Sequence, residues 1–85
     1  MATDEDYMAI WSRYGQERQL RKLMEEAYEL TDAVREGDPE HIEEEFADVM
    51  VVMGQISRAY SLDMPFVERV VDAKIARQLF RMRGE

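Results

Sequence analysis

The sequence predicts an all-α domain, an antiparallel helical hairpin with flanking helices that assembles with further copies into an oligomeric four-helix-bundle-like core. Three observations predict it. Apolar residues recur at helical spacing in four successive segments. Turn chemistry at Gly15, at Gly37-Asp38-Pro39 and at Ser61-Leu62-Asp63-Met64-Pro65 separates them. A chain of 85 residues, 46% apolar and 35% charged, suits long amphipathic helices but is short. At this size folding buries only about 60% of the unfolded surface, which favours self-association.

Composition narrows the function. The net charge of −8 argues against a nucleic-acid polymer as partner, because phosphate-backbone binding needs a basic face. The absence of cysteine excludes disulfides and thiolate metal sites and fits a reducing compartment. The start, Met1-Ala2-Thr3-Asp4-Glu5-Asp6, is acidic where a signal peptide is basic, and no apolar run reaches membrane-spanning length. The expectation is a cytoplasmic protein with no membrane partner. Without repeats, low-complexity segments or linkers, residues 1–85 read as one domain.

The first helix opens on Thr3 and Asp6, a capping box with Asp in place of the usual Glu or Gln. Tyr7, Ile10, Trp11 and Tyr14 form its stripe and Gly15 ends it. These aromatics read as core or subunit-interface packing, with Trp11 or Tyr14 beside a ligand base as the alternative. The second helix runs from about Gln16 to Glu36. Leu20, Leu23, Met24, Ala27, Leu30, Thr31 and Val34 define its expected buried stripe, with Glu26 just beyond one edge, Glu29 further round, and Lys22 on the same side. Gly37 supplies the C-terminal stop, and Asp38-Pro39 the N-cap and first residue of the third helix.

That third helix extends from about Pro39 to Tyr60, with Ile42, Phe46, Val49, Met50, Met53, Ile56 and Tyr60 as its main apolar face. Glu45 falls inside the apolar arc between Val52 and Ile56, and Asp48 at its edge. The run from Val49 to Met53 implies burial on more than one side, and Gly54 permits a close approach. The fourth helix, capped by Ser61 or Asp63, runs to about Arg83 with two apolar sides. Between them Lys74, Gln78 and Arg81 share one face, either as a solvated stripe or as a grip on phosphate.

The chemistry concentrates between Glu26 and Asp48. Glu26-x-x-Glu29 and Glu45-x-x-Asp48 are mirror images about residue 37, because both cross-pairs, 26 with 48 and 29 with 45, sum to 74. Within each pair the carboxylates share a helix face about 4.5 Å apart along the axis. A fold-back at Gly37 therefore gathers four carboxylates in one groove, where like charges call for a cation. An ionised carboxylate buried as Glu45 would be costs several kcal/mol, in order of magnitude, unless paired, protonated or metal-bound. Oxygen-only ligands select a hard divalent ion, Mg²⁺ or Mn²⁺, which commonly bridges carboxylates to substrate phosphates. Phosphoanhydride hydrolysis is the natural reaction class. A ferritin-type di-iron site would need Glu-x-x-His motifs, which are missing, and one histidine without cysteine disfavours zinc. Phosphate-binding glycine loops are absent too. His41 sits near the cluster with no role assigned to it.

Lys22-Leu23-Met24-Glu25-Glu26-Ala27-Tyr28-Glu29-Leu30 followed by Glu44-Glu45-Phe46-Ala47-Asp48-Val49 resembles the MazG-like all-α nucleoside triphosphate pyrophosphohydrolases, whose signature is Glu-x-x-Glu, a spacer, then Glu-x-x-Asp. The likeness spans about Lys22 to Arg81. It includes the last-helix pattern Lys-x-x-x-Asn-x-x-Arg, here Lys74-x-x-x-Gln78-x-x-Arg81, with glutamine for asparagine. The resemblance implies Mg²⁺ held by Glu26, Glu29, Glu45 and Asp48, which form the catalytic set. It further implies cleavage between the α and β phosphates of a (d)NTP to give (d)NMP and pyrophosphate, and a homodimer or homotetramer. By the same resemblance Lys22, Lys74 and Arg81 contact phosphates across a subunit boundary. The sequence is also similar to phosphoribosyl-ATP pyrophosphatase at Glu25-Glu26-Ala27-x-Glu29, but lacks the histidine expected soon after Asp48. A non-catalytic helical interaction module is the reading from another class. The base and sugar preference stays open at this level.

Overall fold

The computed structural model describes residues 1–85. Four helices account for most of them: α1 (Asp4–Tyr14), α2 (Gln16–Glu36), α3 (Pro39–Ala59) and α4 (Met64–Arg83). Local chemistry sets each boundary. The Thr3 hydroxyl accepts from the Asp6 amide while the Asp6 carboxylate accepts from the Thr3 amide, so the capping box forms with aspartate. Gly37 takes the left-handed conformation at φ 77° and its amide closes onto Ala33 and Val34, after which Asp38 caps α3 through the Glu40 amide. Asp63, rather than Ser61, caps α4 by accepting from the Phe66 amide at 3.1 Å. α3 ends one residue short of expectation, with Tyr60 as its C-cap.

α2 and α3 pack antiparallel along their lengths, and α1 lies against both, chiefly α3. The mirror about residue 37 persists to the far end of the hairpin. Gln19 Nε2 donates to Gln55 Oε1 at 2.9 Å, and these positions also sum to 74. Gln19 and Gln55 are both buried, Gln55 completely. Near the same end Tyr60 Oη donates to Gln16 Oε1 at 2.6 Å.

The contact line between the two helices is not the one the apolar pattern predicts. On α2 the buried or half-buried positions include Gln19, Leu23, Glu26, Leu30 and Ala33; on α3 they include Ile42, Glu45, Val49, Val52, Gln55 and Ala59. The α2 line keeps heptad spacing, and the α3 line keeps it as far as Val52, with Gln55 three residues on rather than four. Met24, Ala27, Thr31 and Val34, expected inside, face out, with Met24 73% exposed. Phe46, Met50, Met53 and Tyr60 do the same on α3. The physical reason is that a two-helix seam covers only one side of each helix. Here that side carries the polar residues, and each helix turns a second, more apolar stripe outward.

α1 is locked on by Tyr7. A Cβ at residue 54 would lie 2.5 Å from Tyr7 Cε1, so the expected close approach at Gly54 is made by this ring. The Arg58 guanidinium covers Tyr7 at 3.9 Å from the ring centroid, and its Nε donates to Asp4 Oδ1 at 2.7 Å. α4 behaves differently. Only Val67 and Val70 are half-buried, and every residue from 71 to 85 is exposed, Phe80 at 77%. A groove of about 820 Å³ runs between α3, α1 and the start of α4, walled by Met50, Met53, Leu62, Met64 and Val67.

Candidate metal centre and active site

The turn at Gly37 and the heptad seam place Glu26 and Glu29 of α2 against Glu45 of α3. One carboxylate oxygen from each lies within 4.8 Å of the others. Glu26 is the most enclosed of the three, 8% exposed, although the wheel put it beyond the edge of the apolar stripe. The seam passes through it. Glu45 is half-buried and Glu29 exposed. Asp48 is exposed and lies outside the three-carboxylate group, yet its charge still acts on Glu45.

Two oxygens in this cluster, Glu26 Oε2 and Glu45 Oε2, are buried with no hydrogen-bond partner. Burial raises the pKa of Glu45, a hydrogen bond shared with Glu29 raises it further, and the charges of Glu29, Asp48 and Glu26 act in the same direction. Glu26 Oε1 has one cation near it, the half-exposed Lys22, whose Nζ lies 3.4 Å away one helical turn before it. His41 completes the surroundings. Its Nδ1 lies 3.2 Å from Glu36 Oε2 and its Nε2 3.3 Å from Glu45 Oε1. The hydrogen bond to Glu36 is the main reason its pKa is raised; desolvation opposes, and the charges of Glu36 and Glu45 add to the rise. His41, to which the sequence alone assigns no role, shares a face with Glu45 through its spacing of four.

The hairpin thus sets Glu26-x-x-Glu29 against Glu45, with Asp48 one helical turn further along α3. The family model of the MazG nucleotide pyrophosphohydrolase domain matches residues 14–79. The chain belongs to that family. Comparison with curated proteins and with solved structures gave no match.

MazG domains generally depend on a divalent metal, and the donors in this one fit such an ion. All are carboxylate oxygens, and two are buried without a proton donor, a lack that a cation remedies and a hydrogen-bonded salt bridge would already have remedied. Of the proposed phosphate ligands, Lys22 stands beside the cluster on α2. Lys74 and Arg81 ride on the exposed length of α4, with Gln78 between them, and α4 makes no extensive contact with α2 or α3. Packing within one chain therefore does not hold them against the carboxylates.

A basic surface that the sequence patterning does not single out lies on α2. Arg18, Arg21 and Lys22 line a cleft of about 490 Å³ with Ile10, Tyr14, Gln19 and Glu25. The i, i+4 spacing of Arg18 and Lys22 with Glu26 was the available signal. No helix is long and apolar enough to cross a membrane.

Proposed function

We propose that this MazG domain hydrolyses the α–β phosphoanhydride of a nucleoside or deoxynucleoside triphosphate with Mg²⁺, releasing a nucleoside monophosphate and pyrophosphate. The observation that carries the reading is the pair of unpartnered buried oxygens, Glu26 Oε2 and Glu45 Oε2, inside the family's carboxylate quartet. Glu26, Glu29, Glu45 and Asp48 hold the metal, and Mn²⁺ satisfies the same donors. When bound, the ion polarises a phosphoryl oxygen and increases the acidity of a water ligand. The chain's own contribution is positional and electrostatic. Glu45, half-buried among the acids and beside His41, is the carboxylate placed to take a proton from the attacking water. His41 Nε2, beside Glu45 Oε1, orients that carboxylate and offers the proton an onward path. Water adds across the anhydride, so one phosphorus gains its oxygen, the bridging oxygen leaves with the other phosphate, and the displaced proton passes to the carboxylate.

Lys74 and Arg81 reach the phosphates from a second copy. Two features support a homo-oligomer: the outward stripe of Met24, Val34, Phe46, Met50 and Met53, and an α4 arm whose apolar residues Val71, Ile75, Leu79 and Phe80 are all exposed. Charge complements shape, because the latter half of α4 carries Lys74, Arg77, Arg81 and Arg83 while the hairpin carries the acidic run from Glu25 to Asp48.

Pyrophosphate release from a panel of dNTPs and NTPs, with Mg²⁺ and with chelator, tests the reading. The wild type should release pyrophosphate from at least one nucleotide, and Glu45→Gln should lower the rate by about 10²- to 10⁴-fold. No release from any of them refutes the (d)NTP reading. Turnover of phosphoribosyl-ATP alone transfers the assignment to that substrate.

A further inference from the structure

We propose that the cleft between α1 and α2 is the subsite for the terminal phosphates of the substrate, with Arg18 and Arg21 as binding residues and Tyr14 as the support that positions Arg18. The inference rests on the nucleotide reading above and names the part of the substrate that occupies a particular surface. Five of the seven lining residues are polar, and three of those are cations: Arg18, Arg21 and Lys22, against the single carboxylate of Glu25. In a chain of net charge −8 this is a local reversal of sign. Arg18 and Arg21 form no ion pair despite 19 acidic residues in the chain, so their charges are uncommitted. The Arg18 guanidinium instead sits 5.1 Å from the centroid of the Tyr14 ring, held by a face that leaves its N–H edges available.

Position gives the cleft its role. On α2, Arg18, Lys22 and Glu26 follow one another at i, i+4, each step about 6 Å along the helix, while Tyr14, the last residue of α1, meets Arg18 from across the break at Gly15. The ladder thus runs from an aromatic support through two cations to the most buried carboxylate of the cluster. A triphosphate engaged at the carboxylate end places its uncharged nucleoside or its polyanionic tail along this line. Only the tail matches a predominantly cationic, polar wall, and guanidinium groups suit it by their paired N–H donors. The cleft would then distinguish triphosphates from monophosphates by charge, before any reading of the base.

The test separates this inference from the activity itself. Inorganic tripolyphosphate, without metal, is titrated calorimetrically into the full-length wild type, Arg18→Met, Arg21→Met and, as an equal change of charge elsewhere on α2, Arg35→Met. Helical content is checked by circular dichroism. Arg18→Met and Arg21→Met should each weaken binding at least tenfold, Arg35→Met less than twofold, and added salt should weaken wild-type binding steeply. In turnover, Arg18→Met should raise KM for triphosphates with a smaller change in kcat. Unchanged tripolyphosphate affinity in folded Arg18→Met and Arg21→Met overturns the subsite, even if the enzyme hydrolyses nucleotides normally. An Arg18→Met effect that depends on the base and spares tripolyphosphate overturns it in favour of a nucleoside pocket. Hydrolysis lost from every nucleotide while the binding differences persist would count against the proposed reaction and in favour of the anion subsite.

Discussion

Replacing Met50 with lysine should break the proposed oligomer, which the surface area of the chain supports. A folded monomer of 10.1 kDa is expected to expose about 5,300 Å². This chain exposes 7013 Å², an excess of about 1,700 Å², roughly twice what one partner contributes to a standard interface and within the obligate class. Met50 is 58% exposed on the outward face of α3, so about half of its side chain is left for a second copy to cover. That half is worth about 1–1.5 kcal/mol, counted twice in a two-fold dimer. Its loss alone corresponds to a roughly 30- to 160-fold weaker dissociation constant, before the cost of desolvating the ammonium. Light scattering and sedimentation across a dilution series, with thermal midpoints at each concentration, measure this. The wild type should be oligomeric with a midpoint that rises with concentration. A wild type that is monomeric throughout, with a concentration-independent midpoint, refutes the area argument; an equally tight Met50→Lys oligomer refutes the placement of the interface.

The remaining predictions concern proton linkage and packing. In chelator, Glu45 and His41 both bind protons more tightly folded than unfolded, so the native state holds more protons and stability must fall as pH rises through their raised pKa values. Urea melts from about pH 5 to about pH 8 should show this decline, with saturating Mg²⁺ flattening it because the metal displaces the protons; a pH-independent apoprotein contradicts the linkage. Glu45→Gln should shrink the decline and blunt the metal-induced rise in melting temperature. Gly54→Ala should destabilise by about 1–3 kcal/mol through overpacking against Tyr7. In a Tyr7→Ala background the same change should be neutral or mildly stabilising, since alanine is the better helix former.

Helix limits, caps and the hairpin register were legible because each depends on a few neighbouring residues. Thr3 with Asp6, and Gly37 with Asp38 and Pro39, are local chemistry, and the mirror spacing of the four acids needs only a sharp turn at Gly37. The face that each helix buries was harder to read. A wheel weighted by hydrophobicity centres on Met24 and Val34, or on Phe46 and Met50, whereas the contact line within the chain runs through Gln19, Glu26, Glu45 and Gln55. Periodicity reports that a helix has an apolar side without saying whether its own chain covers it. The carboxylate cluster could be found because acids in an apolar setting are conspicuous, while the α1–α2 cleft was missed because arginines on a helix surface are not. Its meaning comes from Tyr14 on a different helix and from the carboxylates that Arg18 and Arg21 do not meet.

The mirror about Gly37 also divides the hairpin into layers that respond differently to solvent. Nearest the turn, buried Ala33 and half-buried Ile42 pack beside the His41–Glu36 pair; at the far end, Gln19 and Gln55 are bonded to each other and indifferent to pH. The middle layer holds the carboxylates of Glu26, Glu29 and Glu45, and there burial and like charge raise the proton affinity of Glu45. Transient opening of the metal-free hairpin should therefore begin as a bubble in the middle, with both ends pinned, rather than as fraying from a terminus. The repulsion among the clustered acids is thus confined between two packed ends that hold the hairpin in register.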